Sequence, residues 1–481
     1  MAAFSSRIGS GFALRLIVIE EPVMTVRPPS LLTLRPSFSF LLLLLLLVTV
    51  WVAGGASRAD TYGQVVVRTM AWAVLVAAAL FAKRPALREA RPVTWLLGAT
   101  IALAALQLVP LPPAVWQALP GRSALADAAV LSGQPQPWRP WAIVPGATAN
   151  ALFSLVVPLA VLLLVTGSKA VERAALPGIL LVLIIASTLL GLLQFSGGGF
   201  SNPLVNDTVG QVSATFANRN HFALFAAFGC ALAPVWAFLG GLRPRWRGPA
   251  ALGLLPLLAL IILASGSRAG MIVGALGLGA GLAITWRPLR RELGRYPRWI
   301  LPAVIGGFIA SFAVLVTISI AADRAVSISR ALSIDSGQDM RQRGLPTVLD
   351  MLWAYFPFGT GLGSFDPMFR MHEPFGLLKL TYFNHVHNDF LEIVLDAGIP
   401  GLLLMIVAIG WWLRASLIAW RHGQVLPQLG SVLLLQVLIA SIVDYPSRTP
   451  LIMASIVMAG LWLSQAVNPA RPALPIEPQH L

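Results

Sequence analysis

Charge is what this chain has least of. Only 11% of its 481 residues are Asp, Glu, Lys or Arg, against about 25% in a soluble domain. Carboxylates are scarcest, with 19 Asp and Glu against 34 Lys and Arg, for a formal net charge of +15. Cys230 is the single cysteine. One thiol excludes an internal disulfide and a cysteine metal site, and its apolar surroundings read as those of a packed small side chain. No strand, glycine-rich turn and helix followed by Lys and Ser or Thr provides a nucleotide motif. Apolar residues are abundant instead, at 57%, with a mean hydropathy of +0.79. That balance excludes a soluble enzyme and implies a polytopic membrane protein. A pI ≈ 11.3 would suggest nucleic acid in a soluble chain. Here most basic residues lie in short connections between apolar runs, as in cytoplasmic loops.

Apolar runs long enough to cross ~30 Å of hydrocarbon recur at 38–55, 65–82, 93–110, 148–166, 176–195, 221–240, 249–265, 269–286, 299–321, 391–413, 427–444 and 450–466. The expected fold class is an all-α polytopic membrane protein of about twelve transmembrane helices, with a long periplasmic loop containing short helices. The expected divisions are an N-terminal cytoplasmic segment 1–36, a transmembrane region 37–321, a loop 322–390, a second transmembrane region 391–467 and a cytoplasmic tail 468–481. Residues 1–36 contain no clear span and no signal-peptide cleavage site; Met24 is a second candidate start.

Alternate connections differ in charge. One set carries Lys83, Arg84, Arg88 and Arg91, then Lys169 and Arg173, Arg243, Arg245 and Arg247, the group from Arg287 to Arg298, and Arg414 with Arg421. The other carries single arginines, Arg58, Arg219, Arg268 and Arg448. The asymmetry predicts both termini inside and the second set outside, which is periplasmic in a bacterium with two membranes. Residues 111–147, with Trp116 and a Pro/Trp-rich segment to Pro145, read as a re-entrant or interfacial turn with Trp at headgroup level. In the loop 322–390, Thr347–Tyr355 reads as a short amphipathic helix opened by Pro346.

The densest ionisable stretch runs from Asn384 to Gly401 and holds His385, His387, Asp389, Glu392 and Asp396. Ionisable groups at a membrane boundary are costly and mark function. If helical from His387, residues 387, 391, 394, 398 and 401 share one face, where Gly398 and Gly401 admit a neighbouring helix. Asp389, Glu392 and Asp396 share the adjacent face, and Asn388 or Asp389 suits an N-cap. A histidine beside carboxylates can take a proton near neutral pH. A metal site of His385, His387, Asp389 and His372 is an alternative, though the spacing matches no strong metal signature.

Arginines on the outer side form the second element. Arg268 in Ser265-Gly266-Ser267-Arg268-Ala269-Gly270 and Arg219 in Asn218-Arg219-Asn220-His221 each open a span, where free amides favour an anion. Arg341 and Arg343 add two guanidinium groups suited to phosphate. The Gly359-Thr360-Gly361-Leu362-Gly363 run reads as a tight turn that positions the loop. Asp444 and Arg448 cap another outer hairpin and either pair or line the same cavity.

His387-Asn388 followed by Gly398-x-x-Gly401 resembles the signature of the bacterial O-antigen ligase and O-antigen polymerase superfamily. Arg268 in its Ser-Gly-Ser-Arg-Ala-Gly setting, Leu111-Pro112-Pro113, the Pro357–Phe365 turn and Asp444–Pro450 are similar to other features of that family. The resemblance spans about residues 100–465. It implies a metal-independent, C-type-like membrane glycosyltransferase without a cofactor. The donor would be a glycan on undecaprenyl diphosphate. The acceptor would be a sugar hydroxyl on lipid A–core, for a ligase, or on a lipid-linked repeat unit, for a polymerase. His387 would be the general base, and Arg268 with Arg341 or Arg343 would hold the diphosphate. Arg219 would assist, and Asn388, Asp389, Glu392, His385, Asp444 and Arg448 would support the site. The alternative is a secondary transporter or polysaccharide flippase. Transporters show inverted repeats and broken helices near the midplane; here the charges gather at one surface and the two halves do not match.

Overall fold

The computed structural model describes residues 35–206, 208, 210–240, 244–321, 340–378 and 383–467. The N-terminal segment to residue 34, with Met24, lies outside the described residues. So do Arg243, the start of the loop at 322–339 and the tail 468–481.

Each expected apolar run is helical over most of its length. The first helices are α1 (Phe38–Ala53), α2 (Tyr62–Phe81) and α3 (Arg91–Leu106). A two-residue strand, β1 (Pro110–Leu111), pairs antiparallel with β2 (Arg139–Pro140), and α4 (Pro113–Gln117) and α5 (Ser123–Leu131) lie between them. The run at 148–166 forms two helices, α6 (Pro145–Ser154) and α7 (Val156–Gly167). Then follow α8 (Ala170–Phe195), α9 (Arg219–Phe238), α10 (Arg247–Ala264), α11 (Arg268–Leu293) and α12 (Ile300–Ala321). The loop contributes α13 (Met340–Tyr355) and α14 (Phe365–His372), and the chain continues through α15 (Asp389–His422), α16 (Val425–Ala440) and α17 (Pro450–Ser464). Among the described residues, seven helices are long and apolar enough to cross a membrane: α2, α6 with α7, α8, α9, α10, α11 and α15. The shorter α1, α16 and α17 are also apolar.

Polar caps set the helix starts. Ser37, Ser267, Asn218 and Asn388 each accept a backbone N–H of the following first turn, satisfying donors that helix geometry leaves open. Gly423 ends α15 in the left-handed conformation, which lacks a Cβ penalty in glycine. This helix runs past the expected end at 413, so Arg414 and Arg421 are helical rather than in a loop.

The core is organised around α9, whose apolar window is 89% buried. Its partner α11 presents glycines at 270, 274, 277 and 281. A Cβ at Gly270 would come within 2.5 Å of Ala223, and one at Gly281 within 2.7 Å of the Ala231 carbonyl. Small residues at this spacing let membrane helices approach closely. The first turns of α9 and α11, with Arg219 and Arg268, therefore lie side by side. Gln436 of α16 ties both helices, donating to the carbonyls of Ala227 and Val273 at 2.9 and 2.8 Å.

Trp116 of the first loop is 1% exposed and donates to the Pro137 carbonyl at 2.9 Å. Two local expectations need correction. The helix expected to open at Pro346 spans Met340–Tyr355 and carries Pro346 inside. Helix α15 does not include His387: it starts at Asp389 and is broken at Gly398 (φ 57°, ψ −143°). The single face expected for residues 387, 391, 394, 398 and 401 is therefore not formed.

The break at Gly398 is filled by the glycine turn. A Cβ at Gly398 would lie 1.9 Å from the Pro357 carbonyl oxygen, so backbone, not another helix, makes the close approach. Ile399 N–H donates to that carbonyl at 2.8 Å. Thr360 and Gly361 N–H groups donate to the carbonyls of Leu395 and Asp396 at 3.0 and 2.8 Å. The Gly363 amide binds Asp396 Oδ2 at 3.0 Å and the Leu362 amide binds Gln107 Oε1 at 2.9 Å. The buried Arg122 guanidinium reaches the carbonyls of Pro120, Trp141 and Gly359, tying the first loop to this turn. Burial lowers its pKa to about 10, while Tyr355 acts the other way.

Candidate active site

His387 sits just before α15, capped off from it by Asn388, and has φ 56°. A non-glycine side chain in that region costs about 1–3 kcal/mol and recurs at functional sites. Its ring stacks on Phe383 at 5.3 Å and meets Tyr445 edge-on at 4.9 Å. Nδ1 lies 3.0 Å from Asp444 Oδ1.

Asp444 is buried and well served. It accepts the Tyr445 N–H at 3.1 Å and the side-chain amides of Asn218 and Asn220 at 3.1 and 2.6 Å. Arg341 Nη2 lies 3.6 Å away and His221 Nε2 3.8 Å away. Burial alone would raise this carboxyl, but the imidazoles of His221 and His387 beside it hold it well below the usual carboxylate range. Asp444 is therefore an ionised acceptor, and His387 donates Nδ1–H to it. That leaves the Nε2 lone pair free of the proton. Burial pushes the His387 imidazole below its ordinary value; Asp444 opposes this, while Arg341 and His385 add to it. A neutral, oriented imidazole results, the arrangement by which a carboxylate fixes the tautomer of a general base.

A second cluster lies along α15. Asp389, Glu392 and Asp396, four or three residues apart, converge on Arg448 at 3.6, 3.2 and 3.4 Å. Burial works against the Arg448 charge, but Glu392, Asp396 and Asp389 together raise its pKa above the ordinary value. His385 Nδ1 lies 2.8 Å from Glu392 Oε1, and the Val386 N–H donates to Oε2 at 2.9 Å. Ser441 Oγ donates to Asp389 at 2.9 Å. The cluster clamps the His385–Asn388 segment, and with it His387, onto the helix start. Asp444 and Arg448 thus serve separate networks rather than pairing.

The two loop arginines diverge. Arg341 donates to the Val443 carbonyl at 2.8 Å and reaches Asp444. Arg343 turns to the Gly376 carbonyl at 2.8 Å. Two residues apart on α13, they point about 160° apart around the helix. The alternative metal donors also diverge: His385 to Glu392, His387 to Asp444, Asp389 to Ser441, and His372 to the Met368 carbonyl. Among the described residues no group of three or more His, Cys, Asp or Glu is placed to hold a metal ion. The amides of the glycine turn are engaged by Tyr355, Gln107 and the break in α15, which leaves no cradle for a phosphate.

Sequence reasoning did not assign Asn218, Asn220, His221 or Tyr445. The only signal was their place beside Arg219 and Asp444. Next to the cluster, an apolar cavity of ≈ 350 Å³ runs along α15 from Asp389 to Trp412, walled by Leu103 of α3 and Leu438 of α16.

The O-antigen ligase family model matches residues 253–406. This match supports assignment to the O-antigen ligase superfamily. It covers Arg268, Arg341, Arg343, His385, His387, Asn388, Asp389 and Glu392, and leaves Arg219, Asp444 and Arg448 outside it. No curated protein matches the chain. With the apolar helices, the family match supports a membrane glycosyltransferase-type function.

Proposed function

We propose that this protein moves a glycan from undecaprenyl diphosphate to a sugar hydroxyl at the periplasmic face of a bacterial inner membrane. The observation that carries this reading is the His387–Asp444 pair, with Arg341 beside it. In the proposed step, His387 Nε2 takes the acceptor hydroxyl proton as the oxygen bonds to the donor's anomeric carbon. The bond from that carbon to the diphosphate breaks, and the diphosphate leaves with the electron pair. Arg341 and Arg268 hold the leaving group, with Arg219 nearby; fixed cations matched to growing charge lower such a barrier. Asp444 stabilises the imidazolium that forms. Arg343, bonded to Gly376, keeps the loop in place. The polyprenyl chain follows the apolar cavity along α15. An energised lipid diphosphate explains why no nucleotide motif is needed.

A transporter would keep the break in its helix open to a cargo. At Gly398 the neighbouring carbonyls and the Ile399 N–H are bonded to the Pro357–Gly361 turn, which argues against that reading.

The test is transfer by purified protein in proteoliposomes, using lipid-linked glycan as donor and lipid A–core or a second lipid-linked unit as acceptor. His387→Asn should cost about 10²–10⁴ in rate, the usual contribution of a general base. Wild-type rates in that variant would refute the proposal. The glycan ladder of a deletion strain separates the two acceptors. Unattached long chains indicate a ligase, and single repeat units a polymerase.

A further inference from the structure

A second cavity, of ≈ 330 Å³, opens on the other side of Tyr445 and differs in character from the groove along α15. Ser57, Arg58, Asn218, His221, Asn384 and Tyr445 contribute to its wall. Its polar groups are amides, hydroxyls and one imidazole, with a tyrosine ring. Arg58, the guanidinium among the described lining residues, is bonded to Asp60. Among the described residues no carboxylate lines the cavity, and Arg58 is balanced by Asp60, so these residues favour neither a phosphate nor an ammonium group. Neutral hydroxyls that both donate and accept suit such a wall, and a ring face suits an aromatic one.

The cavity is also coupled to the proposed base. Tyr445 packs against His387 at 4.9 Å and against His221 at 5.0 Å. Asn218 and His221, on the cavity wall, also reach Asp444, which holds His387. Asn384 donates to Tyr445 Oη at 3.4 Å, a long bond that a ligand hydroxyl can replace. A ring bound here lies one aromatic side chain from His387.

We propose that this cavity seats a neutral pyranose of the acceptor glycan, the ring adjoining the hydroxyl that is glycosylated. This rests on the glycosyl-transfer reading, because it is the acceptor hydroxyl that must reach the base. Sugar binding and transfer then depend on different residues.

The experiment uses the full-length protein in detergent. The probes are core oligosaccharide freed of lipid A and the delipidated repeat oligosaccharide, and binding is followed by saturation-transfer NMR. Ser57→Phe fills the cavity and Asn384→Leu removes its amide, while Ser57→Ala and Asn384→Gln serve as folding controls. Wild type and His387→Asn should both bind one of the oligosaccharides. Ser57→Phe and Asn384→Leu should weaken that binding, and raise the acceptor KM, by about tenfold or more, the effect of losing one or two good contacts, with donor KM unchanged. Unaltered binding and acceptor KM in both variants, with normal melting temperatures, overturns the subsite. Binding that Ser57→Phe abolishes, in a protein with no transfer activity, keeps the subsite and rejects the reaction. Should Ser57→Phe fail to fold, Asn384→Leu alone decides by the same readout.

Discussion

His387 is held by its backbone as well as its ring. Asparagine tolerates the left-handed region better than alanine does, so His387→Asn removes the imidazole with little added strain. Its melting temperature should stay near that of wild type while transfer is lost; an equal loss of both would assign His387 a structural role. The pH dependence carries a sign. The neutral ring is the active form, and its pKa is lowered by burial. The acid limb of kcat/KM should therefore lie below the ordinary histidine value of about 6.5. Asp444→Asn removes the partner that pulls the ring's pKa up, so the limb should move further toward acid as the rate falls. A limb that moves toward neutral pH would reject Asp444 as the partner. Arg448 offers a stability test. Arg448→Met leaves three carboxylates without their shared cation, and breaking buried pairs this way costs about 3–5 kcal/mol. A melting curve like that of wild type would contradict the assigned charge balance.

Helix α15 and the Pro357–Phe365 turn form one unit. The helix breaks where its carbonyls can be met by the amides of the turn, and both sides need glycine at the contact. Gly359 and Gly361 are at positive φ, and a Cβ on Gly359 would meet the Leu395 carbonyl at 2.7 Å. Gly398→Ala adds a Cβ at φ 57° against the Pro357 carbonyl, so it should cost at least about 2–3 kcal/mol and lower the amount of folded protein. Gly253→Ala, in α10 with nothing within 4 Å of the added Cβ, should be neutral or stabilising by up to about 1 kcal/mol. Equal melting temperatures for the two variants would show that the turn does not lock the break. The strain at His387 and the break at Gly398 flank one face of carboxylates, so Arg448 holds both ends of the segment that presents the histidine.

Across the molecule, the proposed orientation has a direct test. Cys230 is buried, which gives a silent background for cysteine labelling. Trp138, 64% exposed in the first loop, and Arg291, at the far end of α11, lie toward opposite ends of the helices. In intact spheroplasts, Trp138→Cys should react with an impermeant maleimide and Arg291→Cys should not. The reverse pattern would invert the topology and place the proposed base in the cytosol.

Membrane residence, the helical runs and the Asp389–Glu392–Asp396 face were legible in the sequence because each depends on local length or spacing. The Asn388 cap was legible for the same reason, since a cap acts within a single turn. The sequence could not show that His387 lies outside the helix, because its left-handed backbone is imposed by clamps from Glu392 and Asp444. Nor could it show that Arg341, and not Arg343, lies beside Asp444, or that Asp444 and Arg448 serve separate networks. Those outcomes depend on how α9, α13, α15 and the hairpin before α17 meet. Charges distant in the chain select partners only after packing has fixed which helix ends adjoin, and that selection gives His387 its partner 57 residues away.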